Sequence, residues 1–165
     1  MTPQIGSAAS AAVVQYLTGQ NGVNANLASL TQASAALVPL NASQIRTGNI
    51  PPDMAERSVL VTYPAANVYC EKIVNSQIEK FRTFSGTVQM AIELRHSEDR
   101  LDAVQSDLEL YTDAVMGVLD ASSGDWGGGL YYAGGYQVTF GPLKHGGRNF
   151  IQTAKITFEI GVSIS

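Results

Sequence analysis

A chain of 165 residues with 45% hydrophobic residues is long enough to bury a core of its own, and its composition is neither disordered nor collagen-like. A net charge of −4 and a pI near 5 argue against tight, nonspecific nucleic-acid binding, which needs a basic surface. The single cysteine, Cys70, rules out an intrachain disulfide and any multi-cysteine metal site.

The first part of the chain, residues 1–57, is rich in Ala, Ser, Asn and Gln and reads as a helical or extended segment with a linker. Ser7 to Leu17 predicts a short helix, stopped by Gly19. Asn26 to Leu37 predicts a second, with Leu27, Leu30 and Ala33 at helical spacing before Pro39. The run Thr47 to Ser58, with its Gly-Asn pair and two prolines, reads as a connector. No basic start or long apolar stretch marks a secretory signal, and no run reaches the roughly eighteen apolar residues of a membrane span. A soluble protein made in a reducing cytoplasm is the expectation.

Residues 58–165 carry the stronger signals. Val59 to Tyr63 predicts a short buried strand, and Asn67 to Val74, where Cys70 is a small strand residue, a second. Thr83 to Arg95 is clearer: Val88, Met90, Ile92 and Leu94 alternate with Thr87, Gln89, Glu93 and Arg95, the pattern of a sheet with one face on a core. Leu101, Val104, Leu108, Tyr111, Val115 and Val118 then recur at steps of three and four. A helix over Glu98 to Leu119 would be about 33 Å long. Tyr136 to Phe140 and Ala154 to Ile164 alternate again, joined through the glycine-bearing turn Lys144 to Asn149 as an antiparallel hairpin. The fold class is therefore α+β: a mainly antiparallel sheet with a long amphipathic helix packed on one face, plus a short N-terminal helical segment.

The densest charge lies in Glu93 to Asp102 (ELRHSEDRLD), where a strand gives way to a helix. Ser97 falls at the N-cap position, and Glu98 and Asp99 fall where the helix dipole favours negative charge. With Asp99 so used and Ser97 adjacent to His96, no catalytic triad geometry arises. His96 and His145 are distant in sequence and lack a short-spaced carboxylate partner, so neither a metal site nor a catalytic residue is expected. The glycine runs Gly124 to Gly135 and Gly146–Gly147 contain no nucleotide-binding spacing, so no cofactor is expected and hairpin loops are. Tyr131, Tyr132 and Tyr136 near Trp126 suit core or sheet-edge packing, and the uncharged Gln and Thr on outward strand faces suit assembly. Arg95 and His96, at a strand end without capping duties, and Lys144, His145 and Arg148, a small basic turn, are the candidate subunit or partner contacts.

The run from Glu79 to Ser122 followed by Tyr131 to Ile164 resembles tail terminator (tail-completion, head–tail joining) proteins of tailed bacteriophages. A strand ending in Arg95-His96-Ser97, a helix containing Tyr111-x-Asp113-Ala114-Val115, a short hairpin and the terminal strand Ala154-x-Ile156-x-Phe158-x-Ile160 carry the resemblance, over about residues 58–164. It implies a non-enzymatic virion protein, assembled in the host cytoplasm. Its expected form is a homo-oligomeric, usually hexameric ring between the tail tube protein and the neck or connector proteins. DNA would pass through the channel without specific binding, and no membrane is involved. The alternatives are another neck or baseplate adaptor of a phage-like particle, or a small cytoplasmic enzyme holding His96 or His145 in a pocket with carboxylates.

Overall fold

The computed structural model describes residues 4–30, 37–49, 62–146 and 148–165. Three long strands organise it. β2 (Ala65–Asn75), β3 (Phe84–Glu98) and β8 (Asn149–Ile164) run antiparallel, with β3 in the middle. A three-residue strand, β1 (Ile45–Thr47), lies parallel to β2 at one edge. The far edge of β8 is covered in turn by β7 (Lys144–Gly146), β6 (Gln137–Phe140) and β5 (Leu130–Tyr132), with β4 (Gly124–Gly127) outside β5. Sixteen residues of β8 extend about 50 Å, long enough for three short partners laid end to end.

Register explains the core. Opposite residues of an antiparallel pair share a face, and Val88, Met90, Ile92 and Leu94 stand against Ile160, Phe158, Ile156 and Ala154, all buried. The helical layer lies on this face: α1 (Ile5–Thr18), α2 (Val23–Leu30) and α3 (Leu101–Ala121). From α3, Val104, Leu108, Tyr111, Val115 and Val118 turn inward as their spacing predicts. Leu101, the expected first member of that stripe, is instead exposed. Ile5, Ala9, Val13 and Leu17 of α1 and Val23 and Leu27 of α2 join the same core cluster. Small residues allow the close fit: the Asn26 side chain donates to the Ala114 carbonyl at 3.0 Å beside Gly117, where a Cβ would meet that amide at 2.8 Å.

The expected α+β architecture holds, and several boundaries move. α1 is longer than Ser7 to Leu17, and α2 begins three residues earlier than Asn26; residues 31–36 of that expected helix lie outside the described residues. So do residues 59–61 of the expected Val59 to Tyr63 strand, and 50–58 of the connector, whose first residue, Thr47, ends β1. Lys144 to Gly146, expected as turn, pairs with Ile151 to Asn149 as a strand. The glycine-rich Gly124 to Gly135 segment is itself a hairpin. Its turn needs left-handed backbone at Gly127, Gly128 and Gly129, with φ of 80, 61 and 83°. That demand accounts for three glycines in a row.

The seam between β3 and α3 differs most. β3 stays paired with β8 up to Glu98 opposite Phe150, so Ser97 and Glu98 are strand residues, not helix cap and first turn. Helix α3 starts at Leu101 after Arg100, which makes no side-chain cap hydrogen bond, and its first-turn acid is Asp102. Pairing with β8 carries the chain through Ser97 and Glu98 as strand and outweighs the local capping preference of Ser97.

Candidate functional site

The three-residue lengthening of β3, from Arg95 to Glu98, sets the geometry of its end. His96 and Glu98, two apart on a strand, project to the same face, which is the core face that Leu94 also occupies. The imidazole is 6% exposed and lies against the Tyr111 ring, centroids 5.3 Å apart. Its Nε2 is 3.0 Å from Glu98 Oε1 and 3.6 Å from Asp107 Oδ2, the latter from the second turn of α3. The three groups converge, with their ligand atoms all within 4.8 Å of one another. His96 Nδ1 is buried without a hydrogen-bond partner. Burial, and after it a hydrogen bond with Glu98, raises the Asp107 carboxyl above the usual carboxylate range. Imidazole nitrogen and carboxylate oxygen are metal-ligand types and also acid–base groups.

Sequence reasoning missed this cluster. It gave Glu98 to a helix cap and left His96 without a carboxylate, whereas the structure supplies two. The available signal was the His-x-Glu spacing on a strand carried three residues further; Asp107 follows once α3 is folded back.

Arg95, the other residue expected at an open strand end, is 5% exposed and lies on the opposite face of the sheet. It pairs with Glu93 and donates from Nη1 to Asn67 Oδ1 at 3.2 Å. The Tyr69 hydroxyl donates to Glu93 Oε1 at 2.7 Å, Lys155 pairs with Glu71, and the Gln89 amide donates to Glu71 at 3.2 Å. The outward face is thus a charged network across β2, β3 and β8, where the sequence pattern led one to expect mainly uncharged Gln and Thr. Burial, and then the bond to Glu93, pushes the Tyr69 phenol well above its usual range.

Lys144 and His145 sit on β7 and Arg148 in the turn that follows, all exposed, with the His145 ring 5.0 Å from that of Phe150. They are far in the chain from the His96 cluster, and His145 is not among its members. The aromatic residues fall as expected into core and sheet-edge packing: Tyr16, Trp126, Tyr132 and Phe158 form a chain of ring contacts at 4.7, 5.5 and 5.4 Å, and Tyr136 donates to Asp120. Tyr131 is exposed. A cleft of about 490 Å³ between α1 and the β1–β2 edge has Cys70 as its sole titratable lining group besides Tyr69, and burial pushes that thiol up, away from reactivity.

One surface stands out as apolar. The turn from β2 to β3 carries Ile78, 72% exposed, and Phe81, wholly exposed, with Ile73 and Val74 exposed on the strand leading to it. Gly86 lets this hairpin close: a Cβ there would lie 1.9 Å from the Val74 carbonyl oxygen. The paired part of β2's outer edge ends at Val68; beyond it, among the described residues, no strand covers that edge.

Fold and surfaces together define an α+β protein with a β2 edge open among the described residues, an apolar hairpin tip and a half-buried His–Glu–Asp cluster. Compared with protein-family models the chain matches none, and no curated protein matches it in sequence. Among the described residues no helix is long and apolar enough to cross a membrane.

Proposed function

We propose that the chain is a structural subunit of a tailed phage or phage-like particle, a tail terminator. It forms a ring that caps the tail tube and joins it to the neck. The observation that carries this reading is the β2–β3 hairpin: a fully exposed Phe81 and a largely exposed Ile78 at its tip, with Ile73 and Val74 exposed on the strand beside them. Exposed apolar groups gathered at one place mark contact surfaces, and an uncovered strand edge is a template for another chain. An apolar tip and an open edge on one subunit are two different surfaces. Their pairing between neighbours is head-to-tail, the kind of interface that closes into a ring. The sequence resemblance supports the same reading. The acidic net charge suits a channel through which DNA slides without sticking. Virion location, tube and neck partners and the lack of catalysis belong to this proposal.

Arg95 and His96 are occupied inside the subunit, so the contact is placed on the hairpin and the β2 edge. The basic strand and turn with Lys144, His145 and Arg148 remains the candidate for an acidic partner surface. Replacing Ile78 and Phe81 together by serine should leave the thermal midpoint within a degree or two, because neither side chain is packed. The same variant should lose self-association in sedimentation velocity and fail to cap purified tail tubes. A variant that assembles like the parent protein would overturn the hairpin's role.

A further inference from the structure

We infer that His96, Glu98 and Asp107 form a binding site for one zinc-class divalent cation, at the joint between the end of β3 and the start of α3. Three observations carry it. The first is ligand type and convergence: one imidazole nitrogen and two carboxylate oxygens point to a common place. The distances from His96 Nε2, 3.0 Å to Glu98 and 3.6 Å to Asp107, bracket the ligand–ligand edge of about 3.3 Å in a tetrahedron with zinc-length bonds. The third edge, between the two carboxylates, is no longer than 4.8 Å, and the Glu98 side chain can turn to close it.

The second is electrostatic. Two carboxylates meet at a partly buried spot, both within 3.6 Å of the same imidazole nitrogen. A dication bound there neutralises both charges. The third is support and access. His96 is fixed by the strand ladder and the Tyr111 ring, Glu98 by the same strand and Asp107 by the helix, so the ligands come from rigid elements. Glu98 and Asp107 keep side-chain exposures of 33% and 23%, which opens a path for the ion and room for water at a fourth position. An imidazole with only two carboxylates favours zinc-class ions over calcium or magnesium, which take six or more oxygens. The bound ion would clamp the strand end to the helix start.

The test uses untagged, chelator-stripped full chain titrated with zinc chloride in a calorimeter. One saturable site per chain is expected, with magnesium chloride giving none. His96→Gln and Asp107→Asn should each weaken zinc binding by about 100-fold or more, beyond the roughly 10–100-fold cost of losing an outer partner. His145→Gln should bind like the parent. No saturable binding by the parent chain, full retention in Asp107→Asn, or loss in His145→Gln would each overturn the site. Should a cluster variant fail to fold by circular dichroism, the parent's two histidine side chains decide by nitrogen NMR. One equivalent of zinc must shift the His96 ring nitrogens, and a response confined to His145 refutes the assignment.

Discussion

Replacing Arg95 by alanine is expected to cost about 3 kcal/mol of unfolding free energy, a large effect for a residue on the outward face of a sheet. The guanidinium is nearly buried, and its partners are the Glu93 carboxylate and the Asn67 side-chain oxygen. Glu93 is itself only 15% exposed. Without Arg95, that carboxylate keeps the Tyr69 hydroxyl as its hydrogen-bond donor and loses the cation that offsets its desolvation. The cost is therefore that of an unpaired, partly buried charge, and it should largely disappear when the charge goes too. The double variant Arg95→Met with Glu93→Leu should recover most of the loss. Urea denaturation, read as a lower midpoint at unchanged slope, measures both. A loss below about 1 kcal/mol for Arg95→Ala would place the pair among ordinary surface ion pairs.

Alkaline pH is expected to unfold the protein at lower temperature, through two phenols sealed in the core. Burial, helped by the nearby Asp107 and Glu98, pushes the Tyr111 hydroxyl up to about 12. Burial, with Tyr136 and Asp120 adding to it, does the same for Tyr132. Unfolded tyrosine ionises near 10, so between those values the folded state holds more protons than the unfolded one. Stability from these groups is fully present below about pH 10 and lost as pH rises towards 12, amounting to roughly 2–3 kcal/mol for each tyrosine. Thermal melts across that interval, followed with phenolate absorbance, should show the midpoint falling together with tyrosine ionisation. Tyr132→Phe should remove its own share of the fall and leave the part that belongs to Tyr111 and Tyr69. A midpoint that stays level through pH 12 would contradict the burial of these hydroxyls.

Both effects sit in regions that the sequence made legible to different degrees. The alternation of Val88, Met90, Ile92 and Leu94 and the three–four spacing from Val104 to Val118 specify β3 and α3 because each is long and keeps one face on the core. The terminal alternation from Ala154 to Ile164 does the same for β8. The three- and four-residue strands β1, β4, β5 and β7 are too short to show a period. Their pairing is dictated by the long edges of β2 and β8 and, at Gly127 to Gly129, by a turn that admits little but glycine. Helix α1 gave a recognisable helix but not its role, since Ala9 and Val13 pack against a sheet formed some sixty residues later in the chain.

The seam at Glu93 to Asp102 shows why sites are harder to read than elements. Ser97-Glu98-Asp99 is a good local capping sequence, yet tertiary pairing with Phe150 and Ile151 keeps the chain extended through Glu98. That shift of three residues turns Glu98 from a helix acid into a neighbour of His96, and Asp107 completes the cluster only through the fold-back of α3. The neighbouring Arg95 goes the other way, from a candidate outer contact to the centre of an internal network.

The proposed role in capping and joining the tail is tested most directly by electron microscopy of particles assembled without this protein. The account predicts tails of irregular, overlong length and filled heads with no tail attached. Tails of uniform length, properly capped and joined to heads, would contradict it.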